Sequence, residues 1–508
     1  MNRLLFIIIS VLVITTSYSQ AATNEVLNMN KDEVAGIASI MNPYDKLYNP
    51  DNLPYKEHLA KNTRSEVKSY DVTLQKSGTL AYILGDKIND IDSLVVRGPI
   101  NDEDIYTLWR STFYGVTTVI NLQYAQIEGD RIPDEAFCHP NEQFIPESGW
   151  VNYYIIGLRR IILPEGLKEL GDCAFYFAKH LEQINFPSSL RRIKEYCFYE
   201  CRSLNFDTLV IPEGIEEIET CTFVSCQALT AKVVLPLSLK RIKPLAFFSS
   251  KITKCNFPEG LEEIGELAFY ATRLKEVTLP SSCVTFNGSG QFSLNLSLEK
   301  ICFPEGLTTI PRQMVKDCLN LSEVNIPNSV ITIGSGAFEG CLSLRNINLP
   351  SKLKTIDPRA LYSCISLTTL SFPSTMEVLE AECCTNLDSL ASIHCAAKKP
   401  PVCINSSQNP GYTPFGRYIE NGYRSGTNPD IPVYVPIGTA DLYRNTWGWD
   451  YFTNFIEIDN FPQSAIDEIY TEESRDDTIY DMMGRIISQP VPGQVYIQKG
   501  KKLIFKHE

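Results

Sequence analysis

Between about Leu158 and Leu379 the apolar residues recur in one motif, Leu-x-x-Ile-x-Leu-Pro-x-x-Leu-x-x-Ile-x-x-x-Ala-Phe-x-x-Cys-x-x. A proline marks its register at Pro164, Pro187, Pro212, Pro236, Pro258, Pro280, Pro304, Pro327, Pro350 and Pro373, spaced by roughly 22 to 25 residues. Each unit opens on a short stretch such as Leu274, Val277 and Leu279, whose period of two near its end predicts one strand of a parallel sheet. Proline has no N–H to donate and stops the strand. A second short stretch comes next, Leu261 and Ile264 or Leu353 and Ile356, and then Ala-Phe at Phe175, Phe247, Phe269 and Phe338. So short a turn of chain cannot bury enough apolar surface to offset its backbone entropy. The units must therefore stack, each burying both of its faces against its neighbours.

The edges of this array are irregular. Residues 70–157 carry a looser version, with Leu94 to Val96 and Val119 to Leu122 as predicted strands and Ala136-Phe137 as an early turn; they read as an N-terminal cap,. The solenoid proper spans 158–397. Residues 398–460 read as a C-terminal cap, rich in Pro, Gly, Asn and Ser up to Asn428 and then predicted to form a strand at Val433 to Val435,. Residues 461–508 suggest a short β module,. At the other end, Arg3 precedes an apolar run from Leu4 to Ile14 that is too short to span a bilayer, followed by Thr15, Thr16 and Ser17,. Residues 1–20 thus read as a secretory signal peptide, or else a short anchor, and 21–69 as a linker or small helical segment.

Three features of the repeats carry polar chemistry. Cys201, Cys226, Cys318, Cys341 and Cys364 share one register, three residues after the aromatic, interrupted by Ser250 and Thr272; they read as a column of buried free thiols. Cys395 and Cys403, outside the column, are the local disulfide candidate. In the second stretch, Arg191 and Arg192 are followed one coil later by Glu216 and Glu217, then Lys240 and Arg241, then Glu262 and Glu263. Alternating sign at equivalent positions predicts an ion ladder between coils, or a mixed-charge docking stripe. Finally Asn185, Asn256, Thr278, Asn325, Asn348 and Ser371 project between buried positions of the first strand,. They suit either a ligand face or a solvated ladder.

Two irregular places add candidates. The coil from Ser281 to Phe303 lacks Ala-Phe and contains Asn287, Gly288, Ser289 and Gly290, which predicts a bulge or protruding loop. Trp447 and Trp449, with Tyr443 and Phe452, form an aromatic cluster that would stack on sugars or close the final coil,.

Composition narrows the function. A net charge of -14 argues against nucleic acid as a partner,. The five histidines have no partner at metal or triad spacing,. No nucleophile elbow, phosphate loop or dinucleotide fingerprint occurs in a strand-turn-helix context, and no cofactor is expected. A glycosidase, whose two acids need no signature, is the enzyme reading that these absences leave open.

The motif, complete at Phe338, Cys341 and Leu344, resembles the BspA-type leucine-rich repeats of Bacteroidetes surface proteins, and the passage with Tyr434, Val435, Pro436, Tyr443, Trp449 and Phe455 resembles the segment that often closes them. The resemblance covers about residues 80–460. It implies a right-handed leucine-rich-repeat coil with parallel β-sheets, mostly β with short helical or 3-10 turns, on a secreted or cell-surface protein associated with the outer membrane. It also implies protein–protein binding and adhesion to host matrix or other cells; glycan capture is the alternative. The C-terminal module is similar to short sorting modules but shorter than the full sorting domain.

Overall fold

The computed structural model describes residues 67–461, apart from 114, 139–156, 406–410 and 419–423, and the strands between 479 and 504. The expected signal peptide and most of the segment after it lie outside the described residues. The chain builds a parallel β-solenoid of about 15 turns with little helix.

Each coil has three sides. Side one carries the strands before the register prolines, such as Lys232–Val234, Glu276–Thr278 and Lys300–Cys302. Side two carries two-residue strands, such as Glu217–Ile218 and Arg241–Ile242. All pair in parallel with the equivalent residues one coil away: Glu276 faces Lys300, which faces Glu323. The first sheet extends on the N-terminal side through Ser69–Thr73, Ser93–Ile100 and Val119–Ile127, and on the C-terminal side through Pro432–Pro436 and Asn454–Ile458. It is not continuous. One piece ends at Gln183–Ile184, the next runs from Thr208–Val210 to Lys254–Asn256, and a third from Glu276–Thr278 to Glu323–Asn325.

Side three, the Ala-Phe turn, holds the coils together without regular strands. Cys173 and Phe177 have φ of 54° and 57°, and the same paired left-handed positions recur at Tyr196 and Glu200, Cys221 and Ser225, and Leu245 and Ser249. A left-handed residue with a Cβ costs roughly 1 to 2 kcal/mol. The alternation of hand turns every second N–H along the stack: Cys173, Phe175 and Phe177 donate to Glu195, Cys197 and Tyr199 at 2.9, 2.9 and 2.8 Å. Those inter-coil bonds hold the strained conformation. Among the described residues, only the coil with Gly336 and Gly340 uses glycine at both positions, where no Cβ opposes it.

Inside this turn the phenylalanines form a column. Phe137, Phe175, Phe198, Phe223, Phe247, Phe269 and Phe292 stack with ring centres 5.2 to 5.4 Å apart. Phe292 corrects the expectation of a protruding loop. Gln291 stands in the alanine position, but the ring keeps its place, so the coil containing Asn287 and Gly288 stays in the stack. Gly288 has φ +72°, and a Cβ there would lie 2.5 Å from Glu266 Cβ, which makes it a close-approach glycine.

The thiol column is buried and its cysteines are free. Each sulfur donates to the preceding coil: Cys201 to Phe175 O at 3.1 Å, Cys226 to Phe198 O at 3.3 Å, Cys364 to Phe338 O at 3.1 Å. Burial pushes the thiols of Cys201 and Cys341 well above their usual range. Cys395 and Cys403 are free as well, in place of the disulfide considered for them. The Tyr443 hydroxyl lies 3.2 Å from Cys395 Sγ and donates to Ala397 O at 2.6 Å.

Candidate functional site

Along side one, strand side chains alternate inward and outward. Ile161, Leu209, Val233, Val277 and Ile301 are buried, which leaves two outward columns. The column next to the prolines holds the residues singled out from sequence: Asn185, Asn256, Thr278, Asn325 and Asn348 are exposed and Ser371 is half-buried. It is not a purely polar stripe, because Val210 occupies the same column and is 54% exposed. Nor are all its amides free for a ligand. Asn185 accepts from Leu163 N at 2.7 Å and donates to Leu163 O at 3.1 Å, and Asn256 does the same to Leu235 at 2.9 and 3.3 Å. Each amide continues the inter-coil ladder one step past the strand.

The second outward column, which the sequence pattern did not single out, carries charge: Lys232, Lys254, Glu276, Lys300 and Glu323, all exposed. Lys300 and Glu323 pair at 2.7 Å. The parity that selected the asparagines also selects these, two positions earlier in each strand.

On side two the ladder forms selectively. Arg131, Glu169 and Arg192 are neighbours in register, as are Glu217, Arg241 and Glu263. Arg241 bonds Glu217, Lys243 approaches it at 3.6 Å, and Lys240 meets Glu262 at 3.6 Å. Arg191 does not reach Glu216; its guanidinium donates to the carbonyls of Ser188, Leu190 and Glu213 at 2.9, 2.9 and 3.2 Å. Glu219, half-buried beside Glu217 and Glu195, has its carboxyl pushed up to about 7, chiefly by burial.

At the C-terminal end, Trp449 is fully buried, donates to Pro401 O at 3.0 Å and packs edge-on against Phe372 and Tyr443. It closes the final coils and offers no sugar-stacking surface. Trp447 is 41% exposed. Asn287 is exposed, and its amide donates to Glu263 Oε1 at 2.6 Å; Gly288 is exposed beside it.

A concavity lies near the N-terminal end of the outward face of side one. It has a volume of about 610 Å³ and sits where the sheet breaks after Gln183–Ile184. Tyr124, Arg160, Gln183, Asn185, Asn205 and Phe206 line it. Its origin is an insertion: Leu204 precedes its register proline by eight residues, where Leu181 and Leu274 precede theirs by six. The surplus, around Asn205, Phe206 and Asp207, coincides with the break between Gln183–Ile184 and Thr208–Val210. Among the described residues no group of three or more His, Cys, Asp or Glu is placed to hold a metal, and no helix is long and apolar enough to cross a membrane.

The family model for the BspA type leucine rich repeat region matches in six copies, over residues 151–230, 202–321 and 288–400. Among solved structures, a leucine-rich repeat protein from Bacteroides ovatus is 23% identical, with 47% of this chain and 78% of that one covered and a TM-score of 0.33. A leucine rich cell surface protein from Faecalibacterium prausnitzii is 19% identical, over 53% and 83% of the two chains, with a TM-score of 0.32. The pneumococcal vaccine antigen PcpA is 19% identical over 66% and 86%, at 0.33. None of the curated proteins matches the chain.

Proposed function

Because residues 151–400 belong to the BspA-type leucine-rich repeat family, we propose that this chain is an exported adhesive protein that engages proteins of host matrix or of other cells through the outward face of side one. The observation that supports this reading is the face itself. Two columns of side chains stand outward across successive coils, one mixing Asn, Thr and Val, the other Lys and Glu. Such a surface offers hydrogen bonds, charge and apolar contact on a rigid support, which are the means of protein recognition. Asn287, Gly288 and Trp447 are the remaining exposed candidates outside this face. Non-enzymatic action belongs to the same reading, since the polar groups of the face repeat with the coils instead of converging.

The test is binding of the purified chain to immobilised fibronectin and fibrinogen by surface plasmon resonance, with glycan hydrolysis followed in parallel. Saturable binding that weakens severalfold in Lys232→Glu with Lys254→Glu supports the reading. Absence of binding to matrix proteins and to whole cells would overturn adhesion, and turnover of any glycan would overturn the non-enzymatic part.

A further inference from the structure

We propose that the concavity at the break of the first sheet is a binding subsite for an oligosaccharide that carries a carboxylate. It lies on the same outward face, at the place where the coil with Asn205 and Phe206 departs from the repeat.

Three properties of its lining point to this ligand. Tyr124 is a large side chain left 53% exposed at the rim, and it is held rigidly. The Arg97 guanidinium lies 4.3 Å from the ring centre, and Arg97 is itself fixed to Asp71 by bonds of 2.9 and 3.0 Å. One face of the ring is thus backed by a fixed cation, and the exposed remainder is a flat apolar shelf of the kind a pyranose ring covers. Three planar amides, Gln183, Asn185 and Asn205, stand in the lining beside the apolar Ile162 and Phe206. A primary amide offers a donor pair and an acceptor side by side, the arrangement that vicinal hydroxyls need. Asn185 is already oriented by its two bonds to Leu163 and keeps one N–H and one lone pair for a ligand.

Arg160 supplies the charge preference. It stands outward in register with Val119 and Gln183, about 13 Å along the strands from Tyr124, and forms no ion pair among the described residues, whereas its neighbour Arg159 is paired with Glu182 at 3.1 Å. The acid in the concavity, Glu165, is turned to Ser188, whose hydroxyl it holds at 3.0 Å. An exposed guanidinium among neutral amides recognises a planar anion through two parallel N–H bonds. From the coil of Tyr124 to that of Phe206 there are two inter-strand steps and the break, about 14 Å at the usual coil spacing, so the site takes a short oligosaccharide and not a single sugar.

The experiment is titration calorimetry of the full chain with 3′-sialyllactose, with lactose and with hexaglutamate. Sialyllactose is expected to bind in the millimolar to micromolar range and lactose about tenfold more weakly or not at all. Tyr124→Ala and Arg160→Ala are each expected to weaken sialyllactose binding about tenfold, while Lys354→Ala, exposed beside the side-two strand Thr355–Ile356 and remote from the concavity, leaves it unchanged. Circular dichroism of each variant checks that the exposed substitutions leave the fold intact. The proposal is overturned if sialyllactose does not bind at millimolar concentration, if lactose binds equally well, if hexaglutamate binds in its place, or if neither substitution affects binding. Matrix-protein binding is read separately, so either result stands without the other.

Discussion

A thiol is a weak hydrogen-bond donor, yet at one position per coil it does what serine does not. Cys341 reaches back to Val315 O of the preceding coil at 3.3 Å, while Ser250, in the same register, turns to Phe247 O of its own coil at 2.8 Å. The longer side chain ties two coils; the shorter one folds back. Cys341→Ser is therefore expected to lower stability by about 1 kcal/mol, read as a lower urea midpoint at unchanged slope; an unchanged midpoint would reduce the column to filler. Exposure separates the thiols in another way. Cys302 stands half-exposed in the outward column beside the register proline, whereas Cys201 and Cys341 are buried, with thiols held well above their usual range. Brief iodoacetamide treatment should label Cys302 ahead of Cys201 and Cys341, which need denaturation first; mass spectrometry reads the order. Glu219 gives the pH dependence. Its carboxyl, at about 7 in the fold against 4.5 normally, binds more protons folded than unfolded, so its contribution to stability falls as pH rises between those values. Glu219→Gln should therefore stabilise the chain at pH 8 by about 1 kcal/mol, allowing for solvent screening of a half-exposed group, and by little at pH 4; equal melting shifts at both pH values would refute this.

At the scale of the element, the two-residue strands of side two show what sequence spacing resolves. The alternation of sign marks Glu216 and Glu217 alike, and the structure separates them. Glu217 lies between Arg241 and Lys243, while the guanidinium that faces Glu216 in the sequence pattern is spent on backbone carbonyls. Glu217→Lys should lower stability by about 1 kcal/mol, and Glu216→Lys by a few tenths, compared by thermal melts at low salt. Register was legible because proline, cysteine and phenylalanine each mark a position that tolerates few alternatives. The features that escaped lie where the marker residue changed and the position survived. Gln291 replaces alanine and hides Phe292 from a search for Ala-Phe, though the ring still stacks at 5.2 Å. For Trp449 the sequence offers both a closing core and a sugar shelf, because aromatic spacing does not tell them apart; the indole N–H bond to Pro401 O that decides for the core depends on a backbone brought in by a distant loop. The first break in this sheet falls where two surplus residues precede Pro212, whereas the break after Lys254–Asn256 has no such mark in the spacing. The consequence of the first break, an open concavity, needed the neighbouring coils in place.

For the whole molecule, stacking makes stability a property of neighbours, and the last coils depend on the C-terminal cap. Strands Pro432–Pro436 and Asn454–Ile458 complete the sheet begun at Thr369–Phe372, and Trp449 covers Phe372. Ending the chain at Ala397 would bare Phe372 and Ile393, both buried in the intact fold and covered by Trp449 and by the strand of Val433. Such a truncation is expected to aggregate or melt in stages, where the longer chain melts cooperatively; light scattering and calorimetry distinguish the cases. The hydrogen bonds joining coils all run along the stack, in both sheets and through the Ala-Phe turns. Under tension between its ends, such an object peels one coil at a time, since each rung is loaded singly and not in parallel shear. Every peeled coil would release about 23 residues, a gain of roughly 75 Å of slack at extended-chain length. The segmented first sheet gives such peeling natural places to start and to pause. In the adhesive role proposed above, a chain built this way would lengthen under flow before letting go, and force spectroscopy on the full chain would show that behaviour as a sawtooth of evenly spaced steps.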